Sequence, residues 1–330
     1  MAAVNESQYG SINPVVAPEI GVLRLPPLNL ACGATLSAGE LAWQSWGPQC
    51  APVVIVLGGI SAGRDIGSWW KEQCGEQRAL DPRERRLVSI DWLGGSDRSS
   101  GPRDATDFPT IDSIDQANAL LALLNHLSIA HVDAIIGASY GGCVGQHLAS
   151  LLGSRLRTLV VIGAAHRAGP WALALRQLQR AGIAAAGDGA DARREALKRA
   201  RQLAVLGYRT AAELERRFGG TDPREGVLGW LDAHGERFAN RFDPESFLRL
   251  SASLDAHECT PESISVTTTV VAIDEDLIVP IALAAEFTRR LRGRANLVTL
   301  QSEYGHDAFL KEESAIADIL RIALRAEVAA

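Results

Sequence analysis

Val132-Asp133-Ala134-Ile135-Ile136-Gly137-Ala138-Ser139-Tyr140-Gly141 runs straight into Gly142-Cys143-Val144-Gly145-Gln146-His147-Leu148-Ala149. The first part is apolar and β-branched and reads as a buried strand; the second reads as a helix. Ser139 stands at the junction, with Gly137 and Gly141 two residues away on either side. A serine pinned on so sharp a turn needs small neighbours there, because larger side chains would collide. The turn holds its hydroxyl above the sheet, where it can attack an acyl carbon. An ordinary serine in a tight turn could carry the same pentapeptide in a chain with 31 glycines. The decision rests on whether a carboxylate and a histidine follow at suitable places.

Both follow. Val266-Thr267-Thr268-Thr269-Val270-Val271-Ala272-Ile273 predicts a buried strand and ends in Asp274-Glu275-Asp276, with a helix expected from Pro280. Ala295-Asn296-Leu297-Val298-Thr299-Leu300 predicts the next strand, and the loop after it carries Gly305-His306-Asp307. Serine, acid and histidine in that chain order, each at a strand end, suit nucleophilic acyl chemistry. Serine needs a base to take its proton, and the imidazole needs a carboxylate to fix its tautomer and stabilise its charged form. The residues alone leave Asp274 and Asp276 both open as the acid. The other six histidines sit on or beside helices or within the intervening segment.

An oxyanion site is expected from an earlier strand end. Pro52-Val53-Val54-Ile55-Val56-Leu57 is a strongly apolar strand, followed by Gly58-Gly59-Ile60-Ser61-Ala62-Gly63. Glycines let the backbone come close to a substrate. A peptide N–H from Gly59 or Ile60, together with that of Tyr140, would hold a developing oxyanion. No Gly-Lys-Ser/Thr follows and no GxGxxG opens a helix, so a phosphate loop is a poor reading.

Bulk properties narrow the class. The chain has 330 residues, 47% of them hydrophobic and 22% charged, with a formal net charge of −6. That balance, without a basic run interleaved with aromatics, argues against a nucleic-acid binder. The basic cluster from Arg193 to Arg201 reads as a solvated helix face in preference to a site for CoA phosphates. Five scattered cysteines without a CxxC pair point to reduced thiols, a cytoplasmic setting and no metal site. No secretory leader and no membrane-spanning run is evident.

Strand and helix alternate along the chain, which predicts an α/β fold with a mostly parallel central sheet and helices on both faces. Residues 1–16 read as a flexible N-terminal segment, 17–163 as the first part of the core and 263–330 as its second part. Between them, 164–262 is rich in Ala, Arg and Leu and offers no strand. A helical insertion ahead of the acid and histidine strands reads as a lid over the pocket. Its one flexible patch is Ala184-Ala185-Ala186-Gly187-Asp188-Gly189-Ala190-Asp191.

Several stretches beyond the three strand ends resemble the homoserine O-acyltransferases, a branch of the α/β-hydrolase superfamily. They are Ser68-Trp69-Trp70, Asp91-Trp92-Leu93-Gly94-Gly95-Ser96, Pro109-Thr110-Ile111-Asp112-Ser113-Ile114-Asp115, Trp230 to Phe238, Arg241 to Leu250 and Gly305 to Leu310. Asp276-Leu277-Ile278-Val279-Pro280 is similar to the family's acid loop, whose aspartate lies four residues before a proline. That spacing selects Asp276 over Asp274.

The resemblance implies an α/β-hydrolase fold and ping-pong acyl transfer, with acyl-CoA as co-substrate and no bound cofactor or metal. Acetyl-CoA is the first expectation for the donor and L-homoserine for the acceptor, in methionine biosynthesis. Succinyl-CoA, or serine as acceptor, is the alternative on the same scaffold. The resemblance also implies that Asp307 pairs with the amino group of homoserine and that an arginine pairs with its carboxylate. Gln179-Arg180-Ala181-Gly182-Ile183 resembles that segment and nominates Arg180. The chain departs from the family in a shorter lid, in an Ala-Gly-Asp patch where a tyrosine contact is expected, and in Arg64 where a histidine is common. Arg64 and Arg98 are the arginines considered for a succinyl carboxylate. Family analogy allows a homodimer; no nucleic-acid or membrane partner is expected. The rival readings are an esterase or thioesterase using water as acceptor, and a non-catalytic binding protein that keeps the fold.

Overall fold

A computed structural model describes residues 17–102 and 108–325; the expectation of a flexible segment up to Val16 lies outside them. The strands are β1 (Glu19–Arg24), β2 (Leu28–Asn29), β3 (Thr35–Leu36), β4 (Glu40–Trp46), β5 (Val53–Leu57), β6 (Arg86–Ile90), β7 (Val132–Ala138), β8 (Leu156–Ile162), β9 (Thr267–Ile273) and β10 (Ala295–Leu300). Eight of them form one sheet in the order β1-β4-β6-β5-β7-β8-β9-β10, and β2 pairs with β3 alone. From β6 to β10 every pairing is parallel; β1 and β4 add an antiparallel edge.

The helices are α1 (Ile66–Trp69), α2 (Ser113–His126), α3 (Tyr140–Leu152), α4 (Pro170–Ala184), α5 (Ala190–Tyr208), α6 (Ala211–Phe218), α7 (Gly229–Ala239), α8 (Pro244–Ala256), α9 (Ile281–Arg290), α10 (Ala308–Lys311) and α11 (Glu313–Leu324). Successive strand residues face opposite sides of the sheet. Val53, Ile55 and Leu57 therefore pack with Leu120 of α2, Val144 of α3 and Phe287 of α9. Val54 and Val56 pack the other way, with Ile316 and Leu320 of α11. A sheet covered on both faces explains why β5 is an unbroken run of buried aliphatics.

Between β8 and β9 the named elements are helices, with one isolated bridge pairing Arg167 and Glu258, and the Ala184–Asp191 patch holds the turn joining α4 to α5. Helix α5 packs on α4 and α7. Helix α8 begins with Pro244 at its first turn and with Asp243 accepting from Ser246 N at 3.0 Å. It is tied to the loop after β6 by Ser246 Oγ donating to Gly95 O at 3.0 Å and by Asp243 N donating to Ser96 Oγ at 2.8 Å. The basic cluster on α5 is largely paired within the lid. Arg193 meets Glu245, Arg194 meets Glu236, and Lys198 lies 2.9 Å from Glu236. No described helix is long and apolar enough to cross a membrane.

Candidate active site

Ser139 occupies the turn between β7 and α3 with φ 54° and ψ −118°, a conformation that non-glycine residues adopt only when their surroundings force it. Ser139 N donates to Ile162 O and Gly141 N donates to Gly58 O, both at 2.8 Å, so two neighbouring strands clamp the turn. The flanking glycines are sterically required. A Cβ at Gly137 would lie 2.2 Å from Gly141 O, and one at Gly141 would lie 2.2 Å from Leu57 O.

The three strand ends converge. His306 Nε2 is 3.0 Å from Ser139 Oγ, and His306 Nδ1 is 2.7 Å from Asp276 Oδ2. Asp276 Oδ1 accepts from the N–H groups of Ile278 and Val279 at 2.7 and 3.0 Å, which fixes the carboxylate from behind. Asp274 is exposed, so the spacing argument picked the carboxylate that meets the ring. Burial alone would lower the basicity of the His306 imidazole. The Asp276 carboxylate, with a smaller push from Asp307, outweighs burial and holds the ring above the ordinary imidazole range. Facing a carboxylate, Nδ1 carries the proton and leaves the Nε2 lone pair for the serine hydroxyl.

The first-turn amides of α3 show which donor is spare. Gly141 N is taken by Gly58 O, and Gly142 N and Cys143 N both donate to Ser139 O. Tyr140 N has no acceptor among the described residues. Its ring is fully buried, edge-on to Trp92, with its hydroxyl 2.7 Å from Ser253 Oγ of α8. In the glycine loop, Gly59 O accepts from Trp92 Nε1 at 3.0 Å and from Ala62 N at 2.9 Å. These contacts hold the loop's carbonyls in place; Gly59 N and Ile60 N have no acceptor among the described residues.

A cavity of about 50 Å³ opens at the serine, lined by Ser139, His306, Cys143, Arg176, Gln179 and Tyr208, among others. Roughly 10–15 Å³ holds one water on this measure, so the space beside the serine suits a short acyl group. Burial pushes the Cys143 thiol up to about 12, which leaves it protonated and unreactive. His257, also on the wall, is pushed down to about 3 by burial and is neutral. Its Nε2 donates to Ala165 O at 3.1 Å while Nδ1 accepts from Ser113 Oγ at 2.8 Å.

The lid contributes residues that the sequence reading did not single out. Arg180 does not line the cavity. Its guanidinium is occupied by Asp255 Oδ2 at 2.5 Å and by Ser251 O and Oγ. Arg176, one turn earlier on α4, lines the cavity and lies 2.5 Å from Asp255 Oδ1. Asp255 thus sits between two arginines, and the three side chains carry a formal excess of one positive charge. Arg64 and Arg98 are occupied elsewhere, Arg64 by Asp91 and Arg98 by Glu40 at 3.2 Å. Neither lines the cavity.

Tyr208, the last residue of α5, brings a tyrosine ring beside the histidine. The ring of Tyr208 lies 5.4 Å from that of His306, between centroids, and burial pushes its phenol up. Arg201, two turns before Tyr208 on α5, places its guanidinium carbon 5.8 Å from the Tyr208 ring centre and 5.0 Å from that of Phe238. No carboxylate among the described residues pairs with it. Asp307 is present beside His306, with Oδ2 3.0 Å from Arg209 Nε. The seven-residue spacing of Arg201 and Tyr208 on one helix face was the signal available in the sequence. Among the described residues no group of three or more His, Cys, Asp or Glu side chains is placed to hold a metal ion.

Residues 52–313 match the family model described as alpha/beta hydrolase fold. The homoserine O-succinyltransferase of Xanthomonas campestris pv. campestris is 41% identical over 302 residues, 87% of this chain and 79% of that protein. The homoserine O-acetyltransferase of Deinococcus radiodurans is 32% identical over 308 residues, covering 89% of each chain. Among solved structures, the homoserine O-acetyltransferase of Staphylococcus aureus superposes with a TM-score of 0.83 at 20% identity, over 94% of this chain and 96% of that one. Esterase E22 superposes with the same TM-score at 18% identity, over 94% and 100%. At such identities the superpositions speak for the fold alone. The fold, the three converging strand ends and the curated relatives together place this chain in the alpha/beta hydrolase fold family, among the homoserine O-acyltransferases.

Proposed function

We propose that this protein transfers a succinyl group from succinyl-CoA to the hydroxyl of L-homoserine through an acyl-Ser139 intermediate. The observation that carries the choice of donor is Arg176. It lines the cavity beside Ser139 and His306 and belongs to a cluster with one positive charge in excess, whereas Arg167, which also lines the cavity, is paired with Glu286 at 3.0 Å. An acetyl group offers that charge nothing. A succinyl group ends in a carboxylate that neutralises it, and a guanidinium can grip a carboxylate with two hydrogen bonds. The relative at 41% identity is named a succinyltransferase, which supports the same donor. Relatives near 30% identity are named acetyltransferases, and acetyl-CoA is the second reading.

His306 Nε2 takes the proton of Ser139 as Oγ attacks the thioester carbonyl. The oxyanion is received by Tyr140 N–H and by Gly59 or Ile60 N–H; one such donor contributes roughly two to three orders of magnitude in rate. CoA leaves as the thiol with the proton from His306. The homoserine hydroxyl then gives its proton to His306 as it attacks the acyl carbon, and Ser139 Oγ leaves with that proton from His306. Asp307 suits the acceptor's ammonium. Arg201, which has no carboxylate partner among the described residues and lies over the Tyr208 ring beside His306, suits its carboxylate in place of Arg180.

The test is product identification by mass spectrometry after incubation with succinyl-CoA or acetyl-CoA, each with L-homoserine, L-serine or no acceptor. O-succinyl-homoserine as the main product is the expected result. O-acetyl-homoserine from acetyl-CoA at higher kcat/KM would overturn the donor assignment. Free acid released at a rate indifferent to homoserine would favour a thioesterase.

A further inference from the structure

The carboxylate beside His306 is gripped from the lid by a residue that the mechanism above does not use. Arg209, just past the end of α5, directs Nε at Asp307 Oδ2, 3.0 Å away, and its side chain is 6% exposed. Behind it lies Glu213, 2% exposed, with Oε1 3.6 Å from Arg209 Nη1 and Oε2 without a hydrogen-bond partner among the described residues. The rings of Trp230 and Tyr304 lie 6.0 and 5.7 Å from the guanidinium carbon. The neighbouring backbone is locked as well. Thr210 Oγ1 donates to Glu303 O at 2.5 Å, and a Cβ at Gly305 would meet Tyr208 O at 2.6 Å.

A guanidinium in this position has little freedom. Moving it into water would strand Glu213 with only Arg217, 3.8 Å away and partly exposed, to offset its charge. Its Nε–H also restrains the carboxylate oxygen that it meets, by a charge-assisted hydrogen bond. Asp307 Oδ1 has no hydrogen-bond partner among the described residues. The chain Glu213–Arg209–Asp307 therefore ends in one restrained carboxylate with one oxygen left over, next to the base.

We infer that Arg209 is a positioning residue for the acceptor: it holds Asp307 through Oδ2 so that Oδ1 receives the ammonium of the incoming amino acid. This rests on the reading of Asp307 as the acceptor's ammonium contact. Arg209 touches neither Ser139 nor His306, so formation of the acyl-enzyme does not depend on it. The lid thereby selects the second substrate without entering the chemistry of the first.

The experiment compares full-length Arg209→Lys, the pair Arg209→Gln with Glu213→Gln, and Asp307→Asn. The double variant avoids stranding a buried carboxylate, and Arg209→Lys retains the charge in case the double variant fails to fold. Three quantities are read: the burst of thiol from acyl-CoA without acceptor, the KM for L-homoserine, and the ratio of kcat/KM for L-homoserine over γ-hydroxybutyrate, which lacks the amine. The burst is expected to stay within about twofold in the two Arg209 variants. The KM should rise and the ratio fall by about tenfold or more in the double variant, with Arg209→Lys between it and wild type. A ratio that falls in Asp307→Asn but stays at the wild-type value in both Arg209 variants would overturn the inference and leave the Asp307 reading standing. A ratio and KM unchanged in Asp307→Asn would remove the acceptor reading and the inference together. Loss of the burst with an unchanged ratio would show Arg209 to be a structural lid contact only.

Discussion

The two halves of this site are held in place by different forces. On the core side, Ser139, Asp276 and His306 each sit at the end of a parallel strand. The turn at Ser139 and the carboxylate of Asp276 are also fixed by backbone hydrogen bonds. On the lid side, Arg176 and Arg209 are oriented by ion pairs with Asp255 and Asp307, and Arg201 by aromatic faces. Strand ends are set by the register of the whole sheet. Lid side chains are set by one or two neighbours. The difference assigns bond making to the core and choice of substrates to the lid, and it makes the lid the half that substitution can retune.

The largest effects are expected where that division is attacked from the core. Ser139→Ala and His306→Ala should end acyl-enzyme formation, with kcat falling by at least about four orders of magnitude. Asp276→Asn should cost roughly 10⁴-fold in kcat, because the imidazole loses both its tautomer control and its counter-charge. Its pH profile carries a sign. The carboxylate holds the His306 imidazole above its ordinary range, and the ring acts as a base only when neutral. Wild-type activity should therefore fall as pH drops through that raised value. In Asp276→Asn the acid limb should move to lower pH, read from kcat/KM against pH. A limb that stays in place would mean that Asp276 does not set the basicity of the ring.

Next comes the lid. Arg176→Ala should lower kcat/KM for succinyl-CoA by roughly thirtyfold, the equivalent of about 2 kcal/mol for a charge-assisted hydrogen bond, while changing acetyl-CoA little. Equal losses for both donors would make Arg176 a packing residue and blur the division. Asp307→Ala should chiefly raise the KM for homoserine and leave the first half-reaction measurable. The smallest effect is expected at Arg98, which is exposed and paired with Glu40. Arg98→Gln should leave both donors within about twofold, since such surface pairs contribute little.

What could be read from the sequence follows the same line. The turn at Ser139 was legible because its steric demand forces glycine at 137 and 141, and the strands because covered parallel strands must be apolar throughout. The acid was half legible: residue types left Asp274 and Asp276 open, and only the resemblance separated them. The lid was legible as helices but not as a site. Arg176 and Arg180 stand four residues apart on one face of α4, and which of them lines the cavity depends on how α4 packs against α8. Asp255, which orients both, is more than seventy positions away in sequence. Tyr208 was passed over for a related reason. Its contact with His306 arises where the end of α5 meets the histidine loop, a packing that no local pattern encodes.

The most direct test of the division is intact-mass spectrometry of the protein after brief exposure to succinyl-CoA, before and after L-homoserine is added. One succinyl adduct per chain is expected, located on Ser139, and it should disappear on addition of homoserine as O-succinyl-homoserine forms in equal amount. No adduct on Ser139, or an adduct that homoserine fails to discharge, would contradict that division.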